Sequence, residues 1–243
     1  MRLLILSDIH ANLTALDAVL DDANKAYAPD AVALLGDYVD YGMRPNEVIE
    51  RIRSIQTPIV CALWGNHEDA IMHEEWGRFS SPRGSQSARF TRSLLNQFSL
   101  DWIDRLPGRA GFQEFEADGK RFLAVHGSMK DTYWKAVDSA ADLDQQTYGD
   151  FDFVLSGHNH LPHCFSRFYP CDNPVMRNKK KTTFINPGSV GQPRNHDPRA
   201  HYAVWDSDNG VILRTVAYNV GAEQELYDGS IDEFYCTRLS VGV

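Results

Sequence analysis

The sequence predicts an α/β fold in which two β-sheets pack together and are covered by helices. Three observations carry this prediction. Through Leu63 the chain alternates short apolar runs with helical patterns; beyond Gly111 strand signals dominate; no linker separates the two parts. The 243 residues fit a single domain, 1–243, with a substantial core.

The elements follow in order. Leu3–Leu6 is an apolar run that reads as a buried strand. Leu13, Leu16, Val19, Leu20 and Ala23 recur at helical spacing, and Pro29 stops that helix. Ala31–Leu35 is the second strand. Pro45 can open the next helix, whose apolar face is Val48, Ile49, Ile52 and Ile55. Ile59–Leu63 is the third strand, and the βαβαβ order implies a parallel sheet with helices packed on it. Residues 70–108 carry aromatics, charges and turn residues, then a helical stretch over Ser87–Phe98. They read as an insertion beside the site rather than a separate domain. Gly111–Glu116 and Arg121–Val125 flank Asp118-Gly119, a hairpin turn. Strand runs at Phe153–Leu155, His163–Phe168, Thr182–Ile185, Tyr202–Asp206 and Val211–Tyr218 complete a half that reads as largely antiparallel, with a tight turn at Asp208-Asn209-Gly210. The segment after Gly221 is weakly patterned and receives no role.

Composition narrows the function. A net charge of −9 without a long basic stripe argues against a nucleic-acid partner. The basic run Arg177–Lys181 reads as a solvated loop. Leu3–Leu6 is too short for a signal peptide or membrane span, and Asp8 and His10 follow at once, so a cytoplasmic protein off the membrane is expected. The four cysteines show no CxxC spacing. Cys61 reads as a small buried residue. Cys164 and Cys171 could meet across a hairpin, but a reducing compartment argues against a disulfide or a metal there.

Five short motifs each end an apolar run: Asp8-Ile9-His10, Gly36-Asp37-Tyr38-Val39-Asp40, Gly65-Asn66-His67-Glu68, Val125-His126-Gly127 and Gly157-His158-Asn159-His160. Ligands of open α/β sheets gather at the carboxyl ends of strands. A single histidine of this kind is usually structural. Here five of the nine histidines fall in these motifs, together with Asp8, Asp37 and Asn66. That mixture of imidazole, carboxylate and amide oxygen suits two divalent ions such as Mn²⁺, Fe²⁺/Fe³⁺, Zn²⁺ or Ni²⁺. Asp37, with two carboxylate oxygens, is the candidate to bridge them. Two ions carry four positive charges, of which Asp8, Asp37 and a hydroxide offset three, so an anionic phosphate ester suits the pocket. Paired ions roughly 3.5–4 Å apart clamp phosphoryl oxygens and make hydroxide available near neutral pH, which implies in-line attack of metal-bound hydroxide on phosphorus. His67 follows Asn66 directly, so the two side chains are expected to point apart; His67 is then available as a general acid. Asp40 is the candidate to orient its ring, with a turn-stabilising carboxylate as the equally weighted alternative.

These residues resemble the calcineurin-like metallophosphoesterases, whose pattern is D-x-H, G-D-x-x-D, G-N-H-[DE], a lone His and G-H-x-H. All five motifs are intact over residues 8–160. The resemblance implies a four-layer αββα sandwich of two mixed β-sheets flanked by helices. It matches Asp8, His10, Asp37 and His160 to one metal, and Asp37, Asn66, His126 and His158 to the other. It matches His67 to the leaving-group acid and Asp40 to its partner. Asn186-Pro187-Gly188-Ser189-Val190-Gly191-Gln192-Pro193-Arg194 extends the likeness toward the small bacterial and archaeal phosphoesterases. Arg194 is read either as a phosphate contact beside Asn66 and His67 or as a surface arginine. Serine/threonine protein phosphatases resemble the chain too, but carry an arginine where Tyr41 stands. The resemblance therefore implies a phosphodiesterase or phosphatase for small or nucleotide-type substrates. A protein phosphatase or a diadenosine tetraphosphatase-like hydrolase is the second reading. A non-catalytic scaffold, as in a retromer subunit that lacks the catalytic histidine, is the remote one, since His67 is present.

Overall fold

The computed structural model describes residues 1–137, 143 and 146–243. Its strands are β1 (Arg2–Leu6), β2 (Ala31–Leu34), β3 (Ile59–Ala62), β4 (Phe112–Ala117), β5 (Lys120–Val125), β6 (Phe153–Ser156), β7 (His163–Pro170), β8 (Lys179–Asn186), β9 (Ala200–Asp206) and β10 (Gly210–Val216). Its helices are α1 (Leu13–Tyr27), α2 (Pro45–Arg53), α3 (Asn66–Met72), α4 (Pro82–Leu94), α5 (Gln97–Asp104), α6 (Val220–Gln224) and α7 (Phe234–Thr237).

The strands form two mixed five-stranded sheets, ordered β10-β9-β1-β2-β3 and β4-β5-β6-β8-β7. In the first, β1, β2 and β3 run parallel while β9 and β10 pair antiparallel beside β1. In the second, β5, β6 and β8 run parallel between antiparallel edges β4 and β7. The sequence-based division into a parallel half and an antiparallel half is thus corrected. The last two strands return to the first sheet, and the second sheet has a parallel centre.

Burial explains why β1 and β2 read as unbroken apolar runs: both of their faces are covered. Leu4, Leu6, Val32 and Leu34 meet Leu16, Val19, Val48 and Ile52 of α1 and α2. Leu3, Ile5, Ala31 and Ala33 point the other way, between the sheets, toward Phe122, Ala124, Leu155 and Ile185. Phe122 meets the Trp205 ring edge-on at 5.1 Å across this layer. Truncating such a buried ring costs about 3–5 kcal/mol. On the outer face of the second sheet, Val154 and Phe184 pack against Val137, Tyr148 and Phe151 from the chain between β5 and β6.

Local chemistry sets the helix ends. Asn12 caps α1 by accepting from Ala15 N at 3.0 Å, and Ala28 closes it in the left-handed region. Pro45 opens α2. The helix expected over Ser87–Phe98 is two helices. Leu95 turns extended, and the Asn96 side chain accepts from Ser99 N at 2.9 Å to start α5. Residues 70–108 enlarge the helical layer over the first sheet: Ala88 and Ile103 join the core under α1 and α2.

The basic run is also corrected. Lys179–Lys181 begin β8 and pair with Phe168–Pro170, so only Arg177 and Asn178 lie in the turn. Cys164 lies within β7 and Cys171 directly follows it, so the two are strung along one strand and not across a hairpin; both are unpaired. Cys61 is buried in β3, as expected. Among the described residues no helix is long and apolar enough to cross a membrane.

Candidate metal centre

The parallel strands β1, β2, β3, β5 and β6 deliver their following loops to one edge, and each loop carries a motif. Asp8, His10, Asp37, Asp40, His158 and His160 all adopt positive φ, between 49° and 72°. That conformation is costly for residues with a Cβ and collects at functional sites. Two glycines let the second and third loops touch. Gly36 has φ +96°, and a Cβ on Gly65 would collide with Asp37 Oδ1.

Glu68, buried on α3, ties these loops together. Its carboxylate accepts from the backbone N–H groups of Asp37, Tyr38 and Gly65, each at 2.8 Å. Burial, and then the Asp37 charge, push the Glu68 carboxyl up to about 7. Sequence reading gave Glu68 no role. Its signal was the acid three residues after Gly65, at the N3 position of a capping box.

Ligand-type atoms converge in two overlapping groups. One ligand atom from each of Asp8, His10, Asp37 and His160 lies within 4.8 Å of the others, and Asp37, His126 and His158 do the same. Asp37 belongs to both. Asn66 joins the second group: its Oδ1 lies 3.0 Å from His126 Nε2 and 2.9 Å from His158 Nδ1. In the first group His10 Nε2 and His160 Nε2 are 3.3 Å apart, and His160 Nε2 is 3.2 Å from Asp8 Oδ1.

The rings are held from behind. Nδ1–H of His10, His126 and His160 donates to the carbonyls of Val39, Leu35 and Gln192. A carbonyl only accepts, so in the neutral rings Nε2 keeps its lone pair and aims it inward, as metal-binding histidines do. His158 turns Nδ1 inward instead.

Electrostatics agrees with a cation site. Burial and the neighbouring His67 hold the His10 ring well below the ordinary histidine value. Burial and His126 push His158 down to about 4. Burial and Arg194 lower His160. Neutral imidazoles are what metals require. For His126 burial acts downward, but the Asp37 charge outweighs it and lifts the ring to about 9. A cation between the two would compete for that proton's place. Among the described residues the buried Asp8 Oδ1 receives no hydrogen bond. An orphaned carboxylate oxygen beside inward-facing imidazoles fits divalent ions.

His67 stands outside both groups. Its backbone N–H donates to Asp37 Oδ1 at 2.9 Å, while its Nδ1 lies 2.7 Å from Asp40 Oδ2. Asp40 Oδ1 accepts from Tyr41 N at 2.7 Å, Ser87 Oγ at 2.5 Å and Thr91 Oγ1 at 3.2 Å. Burial acts to lower the His67 pKa, but the Asp37 charge and the Asp40 hydrogen bond outweigh it and raise the ring above its ordinary value. Ser87 and Thr91, one helical turn apart on α4, were absent from the sequence reading. So was the packing role of Tyr41, whose ring lies 4.5 Å from His67 and stacks on Tyr235 at 4.3 Å. Tyr235 lies in the weakly patterned segment after Gly221.

Asp37, Asn66, His67, His158 and His160 open onto one cavity of about 300 Å³. Arg194 lines it, as do Tyr41, Arg78, Phe79 and Trp134. Every residue expected at the site except Asp8, His10, Asp40 and His126 thus reaches the cavity wall, and those four stand buried behind it.

The whole chain is similar to known proteins. The calcineurin-like phosphoesterase superfamily domain matches residues 1–210. An uncharacterized protein of Methanocaldococcus jannaschii is 31% identical over 98% of this chain and 97% of its own. The phosphodiesterase YfcE of Escherichia coli K12 is 24% identical over 90% of this chain and 93% of its own. The crystal structure of a metallophosphoesterase from Sphaerobacter thermophilus superposes with a TM-score of 0.76 at 32% identity, covering all of both chains. The chain therefore belongs to the calcineurin-like phosphoesterase superfamily.

Proposed function

We propose that the protein is a two-metal phosphoesterase acting on small or nucleotide-type phosphodiesters and phosphomonoesters. One observation carries the reading: Asp37 is shared by two ligand groups, while His67, at their margin, belongs to neither and is held by Asp40. Asp8, His10, Asp37 and His160 would hold one ion, and Asp37, Asn66, His126 and His158 the other. Two bound divalent ions would neutralise phosphoryl charge and supply hydroxide near neutral pH.

The chain's own residues do the rest. His67 Nδ1–H donates to Asp40, so the ring's Nε2 faces the reacting end. In its protonated form Nε2–H gives a proton to the leaving oxygen as the P–O bond breaks. Three donors hold the other oxygen of Asp40 in place, and the Asp37 charge and the Asp40 hydrogen bond favour the protonated His67 ring beforehand. Arg194 at the cavity wall suits a non-reacting phosphoryl oxygen. Tyr41 stands where a phosphoprotein phosphatase would carry an arginine, and the named phosphodiesterase relative supports a diester.

The test is a panel with Mn²⁺-loaded protein: bis-p-nitrophenyl phosphate, p-nitrophenyl phosphate, diadenosine tetraphosphate and a phosphopeptide. Turnover of the small esters above the phosphopeptide is expected. A preference for the phosphopeptide would overturn the substrate assignment.

A further inference from the structure

The cavity continues beyond His67 in a direction that the five motifs do not supply. The Phe79 ring lies 5.2 Å from the His67 ring, tilted by 59°. Trp134 meets Phe79 edge-on at 5.5 Å. The Arg78 guanidinium sits 5.2 Å from the Trp134 ring. Phe79 and Arg78 come from the 3₁₀ turn region after α3, and Trp134 from the chain after β5. All three line the cavity with His67, while Arg194 lines it beside His160. The cavity therefore has a cationic region by the metal-ligand histidines and an aromatic wall by the leaving-group acid.

That wall is underused by the protein itself. Trp134 Nε1 is buried without a hydrogen-bond partner among the described residues. Arg78 is about half exposed, and its ion pair among the described residues is with Glu75, equally exposed, at 3.3 Å. Inorganic phosphate or a small alkyl ester would leave both rings uncovered. A flat ring on the leaving oxygen would cover them.

We propose that Phe79 and Trp134 form a seat for a planar leaving group, with Arg78 at its rim, so that the preferred substrate is a phosphodiester whose leaving oxygen belongs to a nucleoside. The proposal rests on the phosphoesterase reading in one respect, that the leaving group departs on the His67 side. Water adds to phosphorus, the P–O bond to the nucleoside breaks, and the nucleoside oxygen takes the His67 proton. The products are a nucleoside and the remaining phosphomonoester. Phe79 and Trp134 touch neither phosphorus nor the departing oxygen; they set specificity.

The methyl phosphodiester of adenosine at its 5′-oxygen, and the same diester lacking the base, separate the contribution of the ring from that of the phosphoryl group. Stacking of a base on an aromatic side chain should favour the base-bearing ester by about 5–150-fold in kcat/KM. The products should be adenosine and methyl phosphate. Trp134→Leu keeps apolar bulk and should abolish the preference, read as the ratio of kcat/KM for the two esters within the same variant; Phe79→Leu should lower that ratio too. An undiminished preference in both variants, no preference in the wild type, or release of adenosine 5′-monophosphate and methanol would overturn the seat while leaving the phosphoesterase reading intact. Calorimetric binding of adenosine 5′-monophosphate against ribose 5-phosphate needs no turnover. If no ester is cleaved but the adenine advantage is present and lost in Trp134→Leu, the seat stands and the phosphoesterase reading falls. Equal affinities would count against the seat.

Discussion

His67 and Asp40 share a hydrogen bond of 2.7 Å between ring Nδ1 and carboxylate Oδ2, with both side chains almost wholly withdrawn from solvent. Asp40 accepts on its other oxygen from three more donors. A carboxylate anchored by this many bonds keeps a fixed orientation, and the ring it faces is held both in place and toward its protonated form.

His67→Ala should therefore lower kcat by about 10²–10⁴-fold, the usual cost of losing a general acid. Metal content should stay near that of the wild type, because the ring lies outside both ligand groups. Elemental analysis beside steady-state kinetics checks this. Loss of metal in the variant would reassign His67 as a ligand.

Ser87 and Thr91 act through Asp40. Removing both hydroxyls in Ser87→Ala/Thr91→Val leaves Asp40 Oδ1 with Tyr41 N alone. Bonds to a charged group contribute about 1.5–3 kcal/mol each. Part of that loss should reach the ring as misorientation, giving a kcat about tenfold lower with KM and metal content unchanged. Unchanged kcat would make these bonds structural only.

Metal should stabilise the fold. A ligand that binds only the folded state at a hundredfold excess over Kd adds about 2.7 kcal/mol. For a domain of this size that is about 5–10 °C in Tm. Calorimetry with Mn²⁺ and with a chelator should show the difference, and Asp37→Ala should erase it.

A pH effect is expected far from the site. Asp206 accepts from Asp208 N at 2.9 Å, from the Asn209 backbone and side chain, and from Arg2 Nε at 3.2 Å. The Asp208 backbone bond, then the Asn209 side chain, hold its carboxyl down at about 2. The unfolded value is about 3.9. A depressed folded value means stability present above the unfolded pKa and lost as pH falls through the folded one. Asp206→Asn should therefore lower Tm at pH 6, and the gap from wild type should narrow as pH falls from about 4 toward 2. A gap independent of pH would show that the charge is not what stabilises the turn.

Legibility in the sequence followed the range of the interactions. Asp8, Asp37, Asn66, His126 and His158 were readable because each follows an apolar run, and the strand end is a local signal. The turn that Asp206 closes was readable from Asp208-Asn209-Gly210. Ser87 and Thr91 were not, because their partner Asp40 lies 47 and 51 residues away. The return of β9 to β1 was hidden as well. Every residue of Ala200–Asp206 is buried, so no inside-outside alternation shows which sheet it joins. The break at Asn96 was masked by Leu94, Leu95 and Phe98, which continue a helical spacing across it. The charges of Lys179–Lys181 hid a strand whose ladder depends on β7.

The central claim is a two-ion site bridged by Asp37. The most direct test is metal stoichiometry of reconstituted, buffer-exchanged protein, measured with hydrolysis of bis-p-nitrophenyl phosphate, for wild type and Asp37→Ala. Two ions per chain with turnover are expected for the wild type, and loss of metal together with turnover for the variant. A single ion in the active wild type, or turnover that survives Asp37→Ala, would contradict it.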